Sequence, residues 1–300
     1  MIDSLKTIFD SLESPNAAEA EARAVLLRRI EAGPVLPWVF GAYVDLVLAL
    51  FAERDDDAGA ILDELLNSKP TAPDALRIVT LDAELSEGQS ARYRRLLSDD
   101  IACELEPLRR EASAHAESRL AAALGLLRSG APDLFGEFRA LVREIVLVRP
   151  AGGQADFGGA STFSLWGALV LNAEAFGDRL DVAVSLAHEA AHGLLFGLAL
   201  GGRLVENDDA ERYPSPLRRD LRPMEGVAHA TYVTARMAYA LRTLIDSGRL
   251  NGPEMKRAVD QLVHNEQIYR SGIATVSAHA RFTPVGAAAF EALRNAMGGR

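Results

Sequence analysis

Val182-Ala183-Val184-Ser185-Leu186-Ala187-His188-Glu189-Ala190-Ala191-His192-Gly193-Leu194-Leu195-Phe196 is apolar except at Ser185, His188, Glu189 and His192. No proline interrupts it, and the pattern continues strongly helical from Asp178 to about Leu200, where Gly201-Gly202 ends it. On a helix, residues four apart stack on one face, so His188 and His192 present two imidazoles to a single point. That is the spacing a divalent metal uses. Glu189 lies about 100° round the helix from His188, close enough to touch a metal-bound ligand without coordinating. Two histidines and a glutamate in an otherwise apolar helix are costly to bury unless they bind something.

A catalytic site needs a third protein ligand. The extension HExxHxxGxxH is absent, because Leu195 stands at the glycine position and Leu198 at the last histidine. Downstream candidates are Glu206, Glu211, Glu225 and His229. Glu225 and His229 are again four apart, on a long helix that opens after Pro223 and runs to Ser247. Glu225 would make a two-histidine, one-carboxylate set and His229 a three-histidine set. An acid two residues after Pro223 also suits the helix N-terminus through its dipole, a role that leaves no need for a ligand. His229, one turn inside, has no such structural reason, and is the favoured third ligand. Arg222 enters the start of this helix and Arg236 lies two turns past His229. Arginines beside a metal suit bidentate capture of a carboxylate, whereas Arg218 and Arg219 read as loop surface.

Upstream, Ile145-Val146-Leu147-Val148 and Trp166-Gly167-Ala168-Leu169-Val170-Leu171-Asn172 read as two strands joined by a glycine-rich loop, a small sheet beside helices. That loop matches neither GxGxxG nor GxxxxGK[ST], so it is no phosphate loop. An apolar strand just before an HExxH helix is the arrangement of zincin folds. Before Gly130-Ala131-Pro132 the chain reads as helices: Ala17 to Ala32, closed by Gly33-Pro34; Pro37 to Ala52, broken by Asp55-Asp56-Asp57; Ala58 to Leu66, ended by Pro70; Pro73 to Glu87; Ser90 to Ser98; and Pro107 to Ser129. Two more, Pro253 to about Ala280 and Pro284 to Met297, close the chain. The expected fold is mainly α with a small β-sheet: a helical N-terminal region (1–130), then a zincin-like HExxH metal-binding catalytic domain (131–300).

Composition narrows the class. With 49% hydrophobic and 25% charged residues, the 300-residue chain has the balance of a soluble globular protein. A net charge of −10 argues against nucleic acid or an anionic membrane as partner. Cys103 is the single cysteine, which excludes an internal disulfide and a cysteine-based zinc site and fits a reducing cytoplasm. Met1 to Ser14 lacks the apolar core of a signal peptide, and Trp38 to Ala52, interrupted by Asp45, falls short of the roughly 20 residues that span a bilayer.

Taken together, Gly167 to Asn172, Leu186 to His192, Tyr213 to Pro223, and Gly226-Val227-Ala228-His229-Ala230-Thr231-Tyr232-Val233 with Arg236 beyond resemble the HExxH-motif peptide-modification proteins. That family comprises iron- and α-ketoglutarate-dependent β-hydroxylases of ribosomally synthesised peptides. The resemblance covers roughly the C-terminal half, and the coupling of HExxH to Arg222-Pro223, Gly226 and His229 is its specific part. It implies an Fe(II)- and α-ketoglutarate-dependent dioxygenase in which His188, His192 and His229 ligate iron and Arg222 or Arg236 anchors the keto acid. Glu189 then supports the centre rather than serving as a peptidase base. Glu225 departs from the small or apolar residue usual at its position. The alternative is a zinc metallopeptidase with Glu189 as general base on a zinc-bound water.

Overall fold

The computed structural model describes residues 1–11, 17–32, 35–67, 76–98, 101, 103–153 and 158–298. The fold is mainly helical with a small mixed sheet, as the sequence implies. Helices α1 (Ile2–Ser11), α2 (Ala17–Ala32), α3 (Pro37–Phe51) and α4 (Asp55–Leu66) come first, then strand β1 (Arg77–Thr80), α5 (Glu87–Leu97), β2 (Leu105–Glu106) and α6 (Arg110–Gly130). The second half comprises α7 (Pro132–Leu141), β3 (Glu144–Pro150), β4 (Gly159–Ala160), β5 (Ala168–Asn172), α8 (Arg179–Leu198), α9 (Met224–Asp246), α10 (Gly252–His279) and α11 (Pro284–Gly298).

Two local expectations are corrected. The segment read as a helix from Pro73 to Glu87 holds instead β1, because Arg77-Ile78-Val79-Thr80 pairs in parallel with β3; the β-branched run gains more from that pairing than from a helical turn. The helix from Pro37 does end ahead of Asp55-Asp56-Asp57, at Phe51, but the next helix starts at Asp55 rather than Ala58, and these acids form the first turn of α4, where they complement the helix dipole. α7 begins at Pro132, since proline is favoured at the first helical position. The stops read at Gly33-Pro34 and Pro70, the helix start at Pro73, and positions 154–157 of the glycine-rich loop lie outside the described residues.

The sheet runs β1-β3-β5-β4, with β2 pairing β3 as well. β3 and β5 are parallel, with Glu144 opposite Ala168 and Leu147 opposite Leu171, while β4 is an antiparallel edge strand on β5. β1 and β2, from the helical first region, both pair with β3, so the two regions share one sheet. Successive side chains of a strand face opposite ways. Ile145, Leu147, Leu169 and Leu171 accordingly pack with α6 and α8, and Val146, Val148, Ala168 and Val170 with α1 to α5. Burial on both faces is why β3 and β5 read as unbroken apolar runs.

α8 starts at a capping box between Asp178 and Asp181, which satisfies backbone N–H groups at its N-terminus. It is the one helix among the described residues long and apolar enough to cross a membrane. Here that apolarity meets protein: α8 packs on α6, α7 and α9. Trp166 lies across it, its indole N–H donating to the Gly193 carbonyl at 2.9 Å, and a Cβ at Gly197 would stand 3.1 Å from the same ring. α10 lies along α9 so closely that a Cβ at Gly272 would fall 2.3 Å from the Thr231 hydroxyl oxygen. Glycine at that position sets the spacing of the two helices.

Candidate metal centre

α8 and α9 run antiparallel, since His192 meets His229 while His188 meets Met237. His192 and His188, one turn apart, bring their Nε2 atoms to 3.1 Å. Across the helix interface His229 Nε2 lies 2.6 Å from His192 Nδ1. On the far side of His188, Nδ1 contacts the Met237 thioether sulfur at 3.1 Å. Phe196 stacks on His192, with centroids 6.4 Å apart, and closes one side of the cluster.

Burial keeps all three imidazoles neutral. It lowers His188 and His229 to a pKa of about 4, the neighbouring His188 adding to the effect on His229. For His192 burial comes first and repulsion from both other rings adds to it, so its pKa falls furthest. Neutral imidazoles are the form that ligates a metal.

Glu189 is 5% exposed. Its Oε2 accepts the Ser161 hydroxyl at 2.9 Å, and its Oε1 stands 4.0 Å from His188 Nε2. Burial raises this carboxyl to a pKa of about 7, against the lowering effect of the Ser161 hydrogen bond. Gly159 on β4 approaches so closely that a Cβ there would lie 3.0 Å from Glu189 Oε1. The sheet edge therefore fixes where the glutamate sits.

His188, His192, His229 and Glu189 are thus brought together. Glu225 is not part of the cluster: its carboxylate takes the Val205 backbone N–H and faces Arg203, with burial raising its pKa. Arg222 is half-exposed and paired with Asp220 at 2.8 Å. Arg236 is ion-paired with Glu137 of α7 and stacks over Tyr239 at 5.6 Å, while its buried Nε has no acceptor. It lines a small cavity of about 100 Å³ between α9 and α11. His188 opens instead on a cleft of about 440 Å³ walled by α8, α9 and α10.

A bound metal is tested by the donor set. Two ligands of one tetrahedral ion with bonds of about 2.0–2.1 Å stand roughly 3.3 Å apart, close to the 3.1 Å between the Nε2 atoms of His188 and His192. His229 faces the other nitrogen of His192, so one of those two rings must turn before three donors converge. Among the described residues no set of three His, Cys, Asp or Glu donors already surrounds a common point. The residues fit a metal by donor type, neutrality and proximity, with a ring rotation as the step between. Sequence reasoning missed Met237, Ser161 and Gly159. Only Met237 left a signal, eight residues past His229 and so near the same helix face.

No protein-family model matches the chain, and no curated protein matches it.

Proposed function

We propose that the chain is an Fe(II)- and α-ketoglutarate-dependent hydroxylase acting at the β-carbon of a residue in a ribosomally synthesised peptide, in the cytoplasm where such peptides are made. The observation that carries this reading is His229 lying 2.6 Å from His192. His229, not Glu225, lies beside the HExxH pair. His188, His192 and His229 would hold the metal. Bound there, Fe(II) with α-ketoglutarate and dioxygen supplies the oxidising chemistry that replaces a C–H bond with C–OH.

The chain's own residues then divide the remaining work. Apolar Phe196 and the buried faces of α8 and α9 keep water from the centre. Glu189, held by Ser161, orients groups beside His188. Of the two arginines, Arg236 has the unsatisfied donor that an acid's carboxylate would pair with; Arg222 is already spent on Asp220 at the surface.

A zinc peptidase is the second reading, favoured by one observation. A carboxyl held near a pKa of about 7, 4.0 Å from a ligand nitrogen, is suited to act as a general base. The two part on products. Anaerobically purified protein given Fe(II), α-ketoglutarate and air should release succinate, faster with a short peptide encoded beside its gene, and that peptide should gain one oxygen atom. Cleavage of the peptide with Zn(II), with no succinate and no oxygen gained, would establish the peptidase instead.

A further inference from the structure

The cleft beside His188 is unassigned by the metal reading. Asp181, Ser185 and His188 of α8, Thr234 and Met237 of α9, and residues of α10 form its walls, with Leu217 of the preceding loop at its rim. Its volume of about 440 Å³ lies within the range of small-ligand pockets. No lysine or arginine lines it.

Three of its polar groups donate inside the protein. Gln261 spends its amide N–H on Asp181 Oδ1 at 2.9 Å. Asn265 donates its Nδ2 to the Gln261 backbone carbonyl at 2.8 Å, and the Thr234 hydroxyl donates to the Ala230 carbonyl at 2.8 Å. Ser185 and His264 also line the cleft and can donate, but its walls carry one carboxylate, Asp181, and no lysine or arginine. Asn265 is only 7% exposed; its nitrogen is fixed by a carbonyl, so its Oδ1 must be the free end, and no described residue donates to it. Asp181 adds a carboxylate, and the chain carries a net charge of −10.

We infer that this cleft, between Asp181 and Asn265 and next to His188, receives a basic side chain of the peptide substrate and is not the seat of the acidic co-substrate. An extended donor-bearing chain would pair with the free Asn265 oxygen and meet the charge of the Asp181 carboxylate together. A dicarboxylate entering it would meet the like charge of Asp181 and no lysine or arginine to pair with. The inference takes the proposed peptide chemistry as its starting point and adds the substrate class.

The test reads binding alone, on metal-free full-length protein, so its failure is distinct from a failure to form succinate. The five methionines are labelled with ¹³C at their methyl groups, and Met237 reports on the cleft wall. Capped glycine pentapeptides with arginine, glutamine or glutamate at the centre are titrated in, and α-ketoglutarate separately. The arginine peptide should move the Met237 signal in the millimolar range, and the glutamate peptide and α-ketoglutarate should leave it in place. Asn265→Leu should weaken the arginine peptide about tenfold, through loss of one acceptor to a charged donor. Asp181→Asn, which removes the carboxylate charge of the cleft, is the control should the first variant fold poorly. A Met237 signal that follows the acids rather than the arginine peptide, no movement with any probe, or wild-type affinity in both variants would each overturn the assignment.

Discussion

His229 Nε2 stands 2.6 Å from His192 Nδ1, across 37 residues of chain, the last link in a run of contacts from Met237 that orders the protons of the whole cluster. Met237 sulfur can only accept, so the proton on His188 sits on Nδ1. Its Nε2 is then an acceptor, which makes His192 Nε2 the donor across the 3.1 Å contact. A neutral His192 has no second proton, so its Nδ1 accepts from His229 Nε2. In the metal-free protein ¹⁵N shifts should therefore show Nδ1–H on His188 and Nε2–H on the other two. Met237→Leu should scramble the His188 tautomer; an Nε2–H on His188 in the unmutated protein would refute the ordering.

The same contacts divide ligand from bystander. His188→Ala, His192→Ala and His229→Ala should each cut metal affinity by roughly 100-fold or more, beyond the 10–100-fold typical of groups that only support a ligand. Glu225→Ala should change it little, because that carboxylate is turned to Val205 and Arg203. Isothermal titration with Fe(II) under argon, or with Zn(II) in air, reads the difference. Iron kept by His229→Ala and lost by Glu225→Ala would make the carboxylate the third ligand.

Acid should unfold the metal-free protein early. From pH 6.5, the ordinary histidine value, down to about 4, the unfolded chain takes up protons on His188, His192 and His229 that the folded one refuses. Stability from these groups is complete above pH 6.5 and is lost as pH falls. Glu189 has the opposite sign: raised from 4.5 to about 7, it contributes stability below pH 4.5 that is lost as pH rises through about 7. Between pH 4.5 and 6.5 the unfolded state binds a net two more protons, a slope of roughly 2.7 kcal/mol per pH unit at most. Urea unfolding with chelator present should show it, and His192→Gln should flatten it by about half. A stability that holds level down to pH 4.5 would mean the cluster is open to water when folded.

Tyr93 ties the first region to the sheet. Its hydroxyl donates to Glu144 Oε1 at 2.5 Å, and Glu144 is fully buried at the start of β3. Arg77 Nη1 lies 2.8 Å from the other oxygen, at an angle that makes no hydrogen bond. Tyr93→Phe strands a buried carboxylate oxygen and should cost about 1–3 kcal/mol, visible as a lower denaturation midpoint with an unchanged slope. A neutral result would mean water reaches Glu144.

What was legible in the sequence was whatever repeats at short range. His188 and His192 declare themselves by a four-residue spacing, and β3 and β5 by apolar runs that burial on both faces requires. β1 and β4, four and two residues long, are too short to carry a period, and they exist because β3 and β5 offer them a hydrogen-bonding edge. The same limit hid the partners of the site. Ser161 meets Glu189 across 28 residues and Glu137 meets Arg236 across 99, distances over which only the assembled sheet and helices decide who is adjacent. The pairing of Arg236 with Glu137 was out of sight for the same reason.

Glu189 depends on two neighbours from the sheet edge, and each can be removed separately. Ser161→Ala takes away the hydrogen bond that lowers the carboxyl against burial, so its midpoint should rise above about 7. The infrared carboxyl band of Glu189, identified by its loss in Glu189→Gln, follows that titration. Gly159→Ala acts by volume: its methyl would meet Glu189 Oε1 at 3.0 Å and the buried Leu171 side chain at 2.9 Å. Overpacking of this kind costs typically 1–3 kcal/mol and should push the carboxylate off Ser161. If Glu189 positions the centre without exchanging protons, Ser161→Ala moves the infrared midpoint and leaves the pH profile of succinate release where it was. A profile that shifts with the infrared midpoint would make Glu189 a proton-transferring base, the role the peptidase reading requires.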